Sequence, residues 1–253
     1  MSVLNGGQAL VRALDSVRGQ SFEDYEFIIV NDGSTDATAA ILAEHAQRDS
    51  RIRLIHHERN VGLAASLNEG IAAARADLIL RADADDFNFP ERFAKQVAFM
   101  EANPTVDVLG GAMERLNTAG VVFSITRQPE TDREIKAKMY RRVPFFHPTV
   151  AMRKTFWQKN CGYDPRWKRC EDFDLWIRGY KSARYHNLPD VLVRYQAPRE
   201  LKTQNLQEVF RMIFANARRH GDWLKPLLAI AKFSIATFYF RLRKGGSKYF
   251  SND

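Results

Sequence analysis

The stretch Ala76–Pro90, ADLILRADADDFNFP, decides how the chain is read. Its first half, Leu78-Ile79-Leu80, is a short apolar run of the length expected of a buried strand. That run leads directly into Asp83, Asp85 and Asp86. Carboxylates are therefore placed at the C-terminal end of a strand, where ligand crevices open in α/β sheets because the loops leaving parallel strands fan apart. The Asp-x-Asp spacing lets two carboxylates turn toward one point, and only Arg81 nearby in sequence offsets their charge. A hard divalent cation carrying a phosphate would supply what is missing. An isolated Asp-x-Asp also makes an ordinary solvated turn capping the next helix, so the rest of the chain has to decide between the two.

Working outward from that loop, strand and helix alternate. Phe27–Val30 predicts a buried strand that ends at Asn31-Asp32-Gly33-Ser34-Thr35-Asp36, with Gly33 for a tight turn and Ser34, Thr35 or Asp36 to cap the helix carrying Ile41 and Leu42. Ile52–Ile55 predicts another strand, followed by a turn at Asn60-Val61-Gly62 and a helix marked by Leu63, Leu67 and Ile71. Before them, Met1–Leu4 reads as the end of a strand, leading into a helix with Leu10, Leu14 and Val17. Repeated strand–helix units imply a mainly parallel sheet covered by helices on both sides. Neither a Gly-x-Gly-x-x-Gly turn nor a phosphate-binding Gly-Lys-Ser/Thr loop follows any of these strands, which excludes the common dinucleotide and NTP cradles.

After the acidic loop, Pro90 suits the first turn of a helix through Phe93, Val97 and Met100. Residues 106–125 predict two strands around Asn117–Gly120, and residues 131–142 a polar helix. His147-Pro148 enters another strand, since a residue before proline avoids the helical region. Glu171-Asp172 stand in the first turn of a helix, where the free amides and the dipole favour carboxylates; capping alone would explain them equally well.

Of the 253 residues, 27% are charged and 45% hydrophobic, a composition that builds a packed core and excludes a disordered chain. Cys161 and Cys170 form no metal-type Cys-x-x-Cys pair, and no secretory leader is visible, which suggests free thiols and a cytoplasmic protein. The net charge of +8 is concentrated in residues 199–253, which hold 11 Lys/Arg against 4 Asp/Glu. An acidic partner, phospholipid or nucleic acid, is thus expected at the C-terminus and not at the body of the protein. There, Leu206, Val209, Phe210 and Ile213 form one helical stripe, and Trp223–Leu242 a second that is too charged and too short to span a bilayer. Arg241, Arg243, Lys244 and Lys248 follow it, as in a helix lying in an anionic membrane surface. Packing of these helices on the body of the protein is the competing expectation.

Five segments now stand in one order: VNDGSTD (30–36), RNVGLAASLNEGIAAA (59–74), ADLILRADADD (76–86), HPTVAMR (147–153) and EDFDLWIR (171–178). Together they closely resemble the family 2 glycosyltransferases of GT-A fold, from Met1 to about Tyr195. The resemblance implies an α/β, Rossmann-like, mainly parallel sheet flanked by helices over residues 1–202, with a basic helical extension over 203–253. It implies inverting, metal-dependent transfer of a sugar from a nucleotide diphosphate donor, most readily a UDP-sugar, to a cell-envelope glycan or lipid-linked acceptor, with Mg²⁺ or Mn²⁺ as cofactor. By the same resemblance Asp32 contacts the nucleotide base, Asp83 and Asp85 meet ribose and metal with Asp85 the direct ligand, and Asp172 is the catalytic base. His147, Trp167, Glu171 and Trp176 are candidate acceptor or diphosphate contacts. A place in the cytoplasm, peripheral to the inner face of the cytoplasmic membrane, fits such an acceptor, and no nucleic-acid partner is expected.

Two departures from the family pattern matter. Leu4 stands where an aromatic residue usually packs near the base, and the histidine-containing loop of many relatives is missing after Tyr195. The first strand also looks short, which gives the expectation that its buried part lies upstream of Met1 and that the 253-residue form is unstable or binds donor poorly. Competing functions are a haloacid-dehalogenase-type phosphatase, disfavoured because Phe87 stands where that family has Thr or Val, and a non-catalytic carbohydrate- or nucleic-acid-binding protein on a disabled fold. A calcium-binding loop lacks its glycine and closing glutamate.

Overall fold

The structure is a computed structural model that describes residues 1–117, 119–140, 143–196, 206–221 and 223. Residues 197–205 and everything from residue 224 onward, including most of the second expected helical stripe and the basic cluster, lie outside the described residues.

Strand–helix alternation builds the N-terminal half. β1 (Ser2–Val3), β2 (Phe27–Asn31) and β3 (Ile52–His56) form a parallel sheet in that order, with α1 (Gly7–Arg18) and α2 (Thr38–Arg48) as the connections and α3 (Leu63–Ala73) leading out of it. Each helix buries the side expected from its apolar spacing: Leu10, Leu14 and Val17 of α1, Leu42 of α2, Leu67 and Ile71 of α3. A second, mixed sheet has the order β4 (Leu78–Leu80), β8 (Ala151–Arg153), β6 (Val108–Leu116), β9 (Tyr185–Gln196), β5 (Phe87–Asn88), and β7 (Val122–Thr126) pairs β6 as the antiparallel hairpin expected around Asn117–Gly120. The long β6–β9 pairing is parallel and runs past two register shifts.

A mixed, mainly parallel sheet flanked by helices was the expectation, and the observed strands are of both senses and fall into two hydrogen-bonded pieces. β1 holds only two residues, too few to bridge the edge of β2 to the edge of β4. Between those edges lies a mainly apolar cleft of about 380 Å³, bordered by Phe27 and Ile28 on one side and Leu78–Leu80 on the other, with Met1 at its end. The Met1 amine donates to the Ile28 carbonyl at 2.9 Å, extending the ladder by one bond. Burial, and next the charge of Arg81, lower that amine to about 5.

The remaining helices cover the second sheet. α4 (Arg92–Ala102) starts two residues after Pro90. α5 (Asp132–Lys138) carries a full capping box between Thr131 and Glu134, and it is shorter than the expected 131–142 because Met139 and Tyr140 turn into the core. After the 3₁₀ turn His147–Thr149, β8 leads into α6 (Lys154–Lys159), and α7 (Glu171–Arg178) follows the aromatic segment around Tyr163 and Trp167. α8 (Leu206–His220) lays Met212 and Ile213 into the same core cluster as Trp176 and Phe173, so this first C-terminal stripe packs on the body of the protein. No helix among the described residues is long and apolar enough to cross a membrane.

Candidate active site

Asp32 follows the end of β2 and is almost fully buried. Its Oδ1 accepts from the Val61 N–H at 2.8 Å and its Oδ2 from the Gly62 N–H at 3.0 Å. His57 Nδ1 lies 2.9 Å from the same Oδ1, and His57 Nε2 lies 2.6 Å from Glu69 Oε2. Burial acts to raise the Asp32 carboxyl, but the bonds from Val61, His57 and Gly62 prevail and hold it below the ordinary range. The turn after Asp32 is possible because residue 33 is glycine: its φ is +73°, and a Cβ there would sit 2.4 Å from the carbonyl carbon of Arg59.

The acidic loop leaves the end of β4. Arg81 is buried, its main-chain N–H donates to Val150 O at 2.8 Å, and its guanidinium pairs with Asp83. Asp85 stands at the exposed rim of the loop; the desolvation of its carboxyl by the surrounding chain, and then the neighbouring Asp83 charge, raise it. Beneath the loop a second buried cation, Arg92, donates to the Arg81 carbonyl at 2.6 Å and pairs with Asn88, which ties α4 to the start of the loop.

Glu171 and Asp172 open α7 on the other side. Asp172 Oδ1 accepts from the Phe173 N–H at 2.7 Å. Burial raises both carboxyls, and the Asp172 charge raises Glu171 further, so the pair resists carrying two negative charges. His147 lies against them: its Nδ1 is 4.0 Å from Glu171 Oε1, and its Nε2 is 2.9 Å from the Tyr163 hydroxyl. Burial, with help from Arg81, lowers His147 to about 3, leaving a neutral ring at neutral pH. The Arg81 N–H is bonded to Val150, three residues past His147, and His147 lies against Glu171, so the acidic loop and the start of α7 border one site.

Of the sequence-derived candidates, Asp83, Asp85, His147, Glu171 and Asp172 therefore come together, with Asp32 at the end of the neighbouring sheet. Trp167 is half-buried near them, with the Arg166 guanidinium 6.0 Å from its ring. Trp176 is different. It is completely buried, stacked on Phe156 at 5.9 Å and edge-on to Phe145 at 5.3 Å, and it has no ring face left for a sugar. Arg81, His57 and Tyr163 enter the site through contacts that cross the fold. The visible signal for Arg81 was a charged residue closing an apolar strand.

A sequence model described as "Glycosyl transferase family 2" matches residues 1–161. The chain is a family 2 glycosyltransferase. The chain is 36% identical over 198 residues to the putative glycosyltransferase EpsE of Bacillus subtilis, covering 77% of this chain and 70% of EpsE. It is 29% identical over 192 residues to the UDP-Gal:alpha-D-GlcNAc-diphosphoundecaprenol beta-1,3-galactosyltransferase of Escherichia coli, covering 76% and 70% of the two chains. Among solved structures it resembles residues 1–349 of S. aureus TarS in complex with UDP-GlcNAc, with a TM-score of 0.70 and 22% identity over 85% of this chain and 64% of that one. The fold of this glycosyltransferase is GT-A, and its relatives act in nucleotide-sugar chemistry.

The donor set also fits a divalent metal. Asp83 and Asp85 are hard oxygen donors, and the Asp85 carboxyl, raised first by desolvation and next by the Asp83 charge, is one that a bound cation would hold ionised. No group of three His, Cys, Asp or Glu gathers as a metal cage among the described residues. Such a sparse set suits Mg²⁺ or Mn²⁺, which take one or two carboxylates and complete their shell with phosphate oxygens and water.

Proposed function

We propose that this glycosyltransferase transfers a sugar from a UDP-sugar to a glycan or lipid-linked acceptor, with inversion at the anomeric carbon and with Mg²⁺ or Mn²⁺. The observation that supports this reading most directly is the gathering of two separate carboxylate pairs, Asp83/Asp85 and Glu171/Asp172, around the buried charge of Arg81. Asp32 would receive the base and Asp83 the ribose. Asp85 would hold the metal, which supplies Lewis-acid neutralisation of the departing diphosphate.

Asp172 accepts the proton of the acceptor hydroxyl as it attacks, a general-base contribution of about 10²–10⁴-fold. Its raised carboxyl brings it closer to the working pH, where a base is most effective. Glu171, the more strongly raised neighbour, stays protonated beside it and keeps the pair from repelling itself. The neutral His147 and the Tyr163 hydroxyl are hydrogen-bonding groups for the acceptor, with Trp167 at the rim. One displacement at the anomeric carbon inverts it, and no side chain is needed as a nucleophile. The galactosyltransferase relative, which by name acts on a sugar-diphosphoundecaprenol, supports a lipid-linked acceptor. A peripheral position at the inner face of the cytoplasmic membrane follows from such an acceptor and from the basic sequence after residue 199.

The test is thermal-shift and calorimetric binding of UDP-, GDP- and dTDP-sugars with and without Mn²⁺, followed by transfer to a polyprenyl-diphosphate-linked sugar. Metal-dependent binding of a UDP-sugar and formation of the β-anomer from an α-linked donor are expected. Retention of configuration, or release of phosphate from simple esters without a nucleotide sugar, would remove the reading.

A further inference from the structure

The reading above uses Asp32 but not the chain of groups behind it. His57 lies between Asp32 and Glu69 with one ring nitrogen on each carboxylate, at 2.9 and 2.6 Å. A neutral imidazole has one N–H and donates to only one of them; the protonated ring donates to both. His57 also belongs to the segment whose Val61 and Gly62 amides hold the Asp32 carboxylate, so the ring and the two amides close the 57–62 turn onto the end of β2.

We propose that His57 is a positioning residue for the nucleotide base: its imidazolium, clamped between Asp32 and Glu69, fixes the Asp32 carboxylate and the 57–62 turn in the arrangement that receives the donor. The inference rests on the reading of Asp32 as the base contact. The charged or titratable groups facing His57 are Asp32 from the end of β2 and Glu69 from α3; His56, Glu58 and Arg59 flank it on its own segment, and the His56 ring is engaged with Asn31. The hydrogen bond to Asp32, and next the one to Glu69, raise the His57 pKa above the ordinary imidazole value. The clamp is therefore complete below that ordinary value and is lost as pH rises through the raised one. Above it the neutral ring donates to only one of the two carboxylates, and the clamp between Asp32 and Glu69 opens while the Val61 and Gly62 amides still hold Asp32.

The experiment measures UDP binding by calorimetry between about pH 6 and 9 for the full chain, His57→Gln and Glu69→Gln, and follows the His57 ring by NMR. The nucleotide's own phosphate titrates identically in all three and drops out of the comparison. For the unmodified chain, binding should weaken about five- to tenfold as the His57 signal titrates. His57→Gln should bind at the weaker level throughout, with that step gone. Glu69→Gln should keep the step and move its midpoint, with the NMR signal, to lower pH. A packing role alone would weaken binding equally at every pH and leave the midpoint in place. A step that persists in His57→Gln, or no step in the unmodified chain, overturns the inference while leaving the donor site intact. A chain that binds UDP tightly at all pH values after Asp32→Ala overturns the base-contact reading and this inference with it.

Discussion

Asn216, on the last described helix, donates a 2.8 Å hydrogen bond to Asp174, which stands two residues past the candidate base Asp172. The other oxygen of Asp174 accepts from Arg178 Nε at 2.7 Å, and Arg178 reaches on to the carbonyls of Asn160 and Gly162. All three side chains are buried. α7 is thus pinned between the C-terminal helix and the segment before Tyr163, and the position of Asp172 depends on α8. Asn216→Leu should leave a buried carboxylate oxygen without its donor, at roughly 1–3 kcal/mol, and lower Tm by about 3–10 °C. Calorimetry of the purified variant checks it; an unchanged Tm would mean that α8 is not what holds α7.

The two halves of the site should separate by role. Asp85→Asn should weaken metal-dependent donor binding, whereas Asp172→Asn should leave binding nearly intact and remove transfer. Calorimetry with UDP-sugar and Mn²⁺ on both variants decides it. Equal loss of binding in the two would take Asp172 out of the base role.

The acid limb of the rate profile follows from the raised Asp172 carboxyl. A base must be ionised, so kcat/KM should rise with pH through a value above the ordinary carboxylate range. Burial is the main cause of the shift, and Arg81 opposes it. Arg81→Met should therefore move the limb to still higher pH, which initial rates across the pH range would show. The same shift has a sign for stability. The folded chain retains protons on Glu171 and Asp172 that the unfolded chain has released, so stability should fall as pH rises from about 4 to the raised values.

How far the sequence could be read shows in particular residues. That Asp83, Asp85 and Asp172 stand where one element ends and another begins was legible, because element boundaries follow from local spacing; the roles given to them are those proposed above. Trp176 was misplaced by attention to its chemistry: Phe173, Trp176 and Ile177 fall at i, i+3 and i+4, the stripe that a helix turns toward its core. His57 and Arg81 were hidden for another reason. The Asp32 partner of His57 is 25 residues away, and the groups that Arg81 acts on at the start of α7 lie far along the chain, so no local pattern records which strand end will face which. The split between the two sheets is different, since it follows from the two-residue β1, whose shortness was legible in the sequence.

That split carries the last prediction. The part of β2 that β1 leaves unpaired and the outer edge of β4 border one apolar cleft of about 380 Å³, and the Met1 amine bonds to Ile28 at its end. A buried amine is held neutral at about 5, well below its ordinary value, while the unfolded chain protonates it near 8. The folded state therefore loses stability as pH falls through that interval. Adding about five extended, apolar residues ahead of Met1 should convert the amine to an amide, extend β1 along β2 and fill the cleft. In a strand covered on both faces every added side chain is buried, at roughly 1.5–3 kcal/mol each, against an ordering loss of about 1–2 kcal/mol per residue. A net gain of a few kcal/mol would raise Tm by about 5–10 °C and remove the stability slope between pH 8 and 5. Five added residues of Gly and Ser serve as the control, since they remove the amine's charge without filling the cleft. If the apolar extension melts no higher than the Gly/Ser one, the cleft between β2 and β4 is not a seat for a strand.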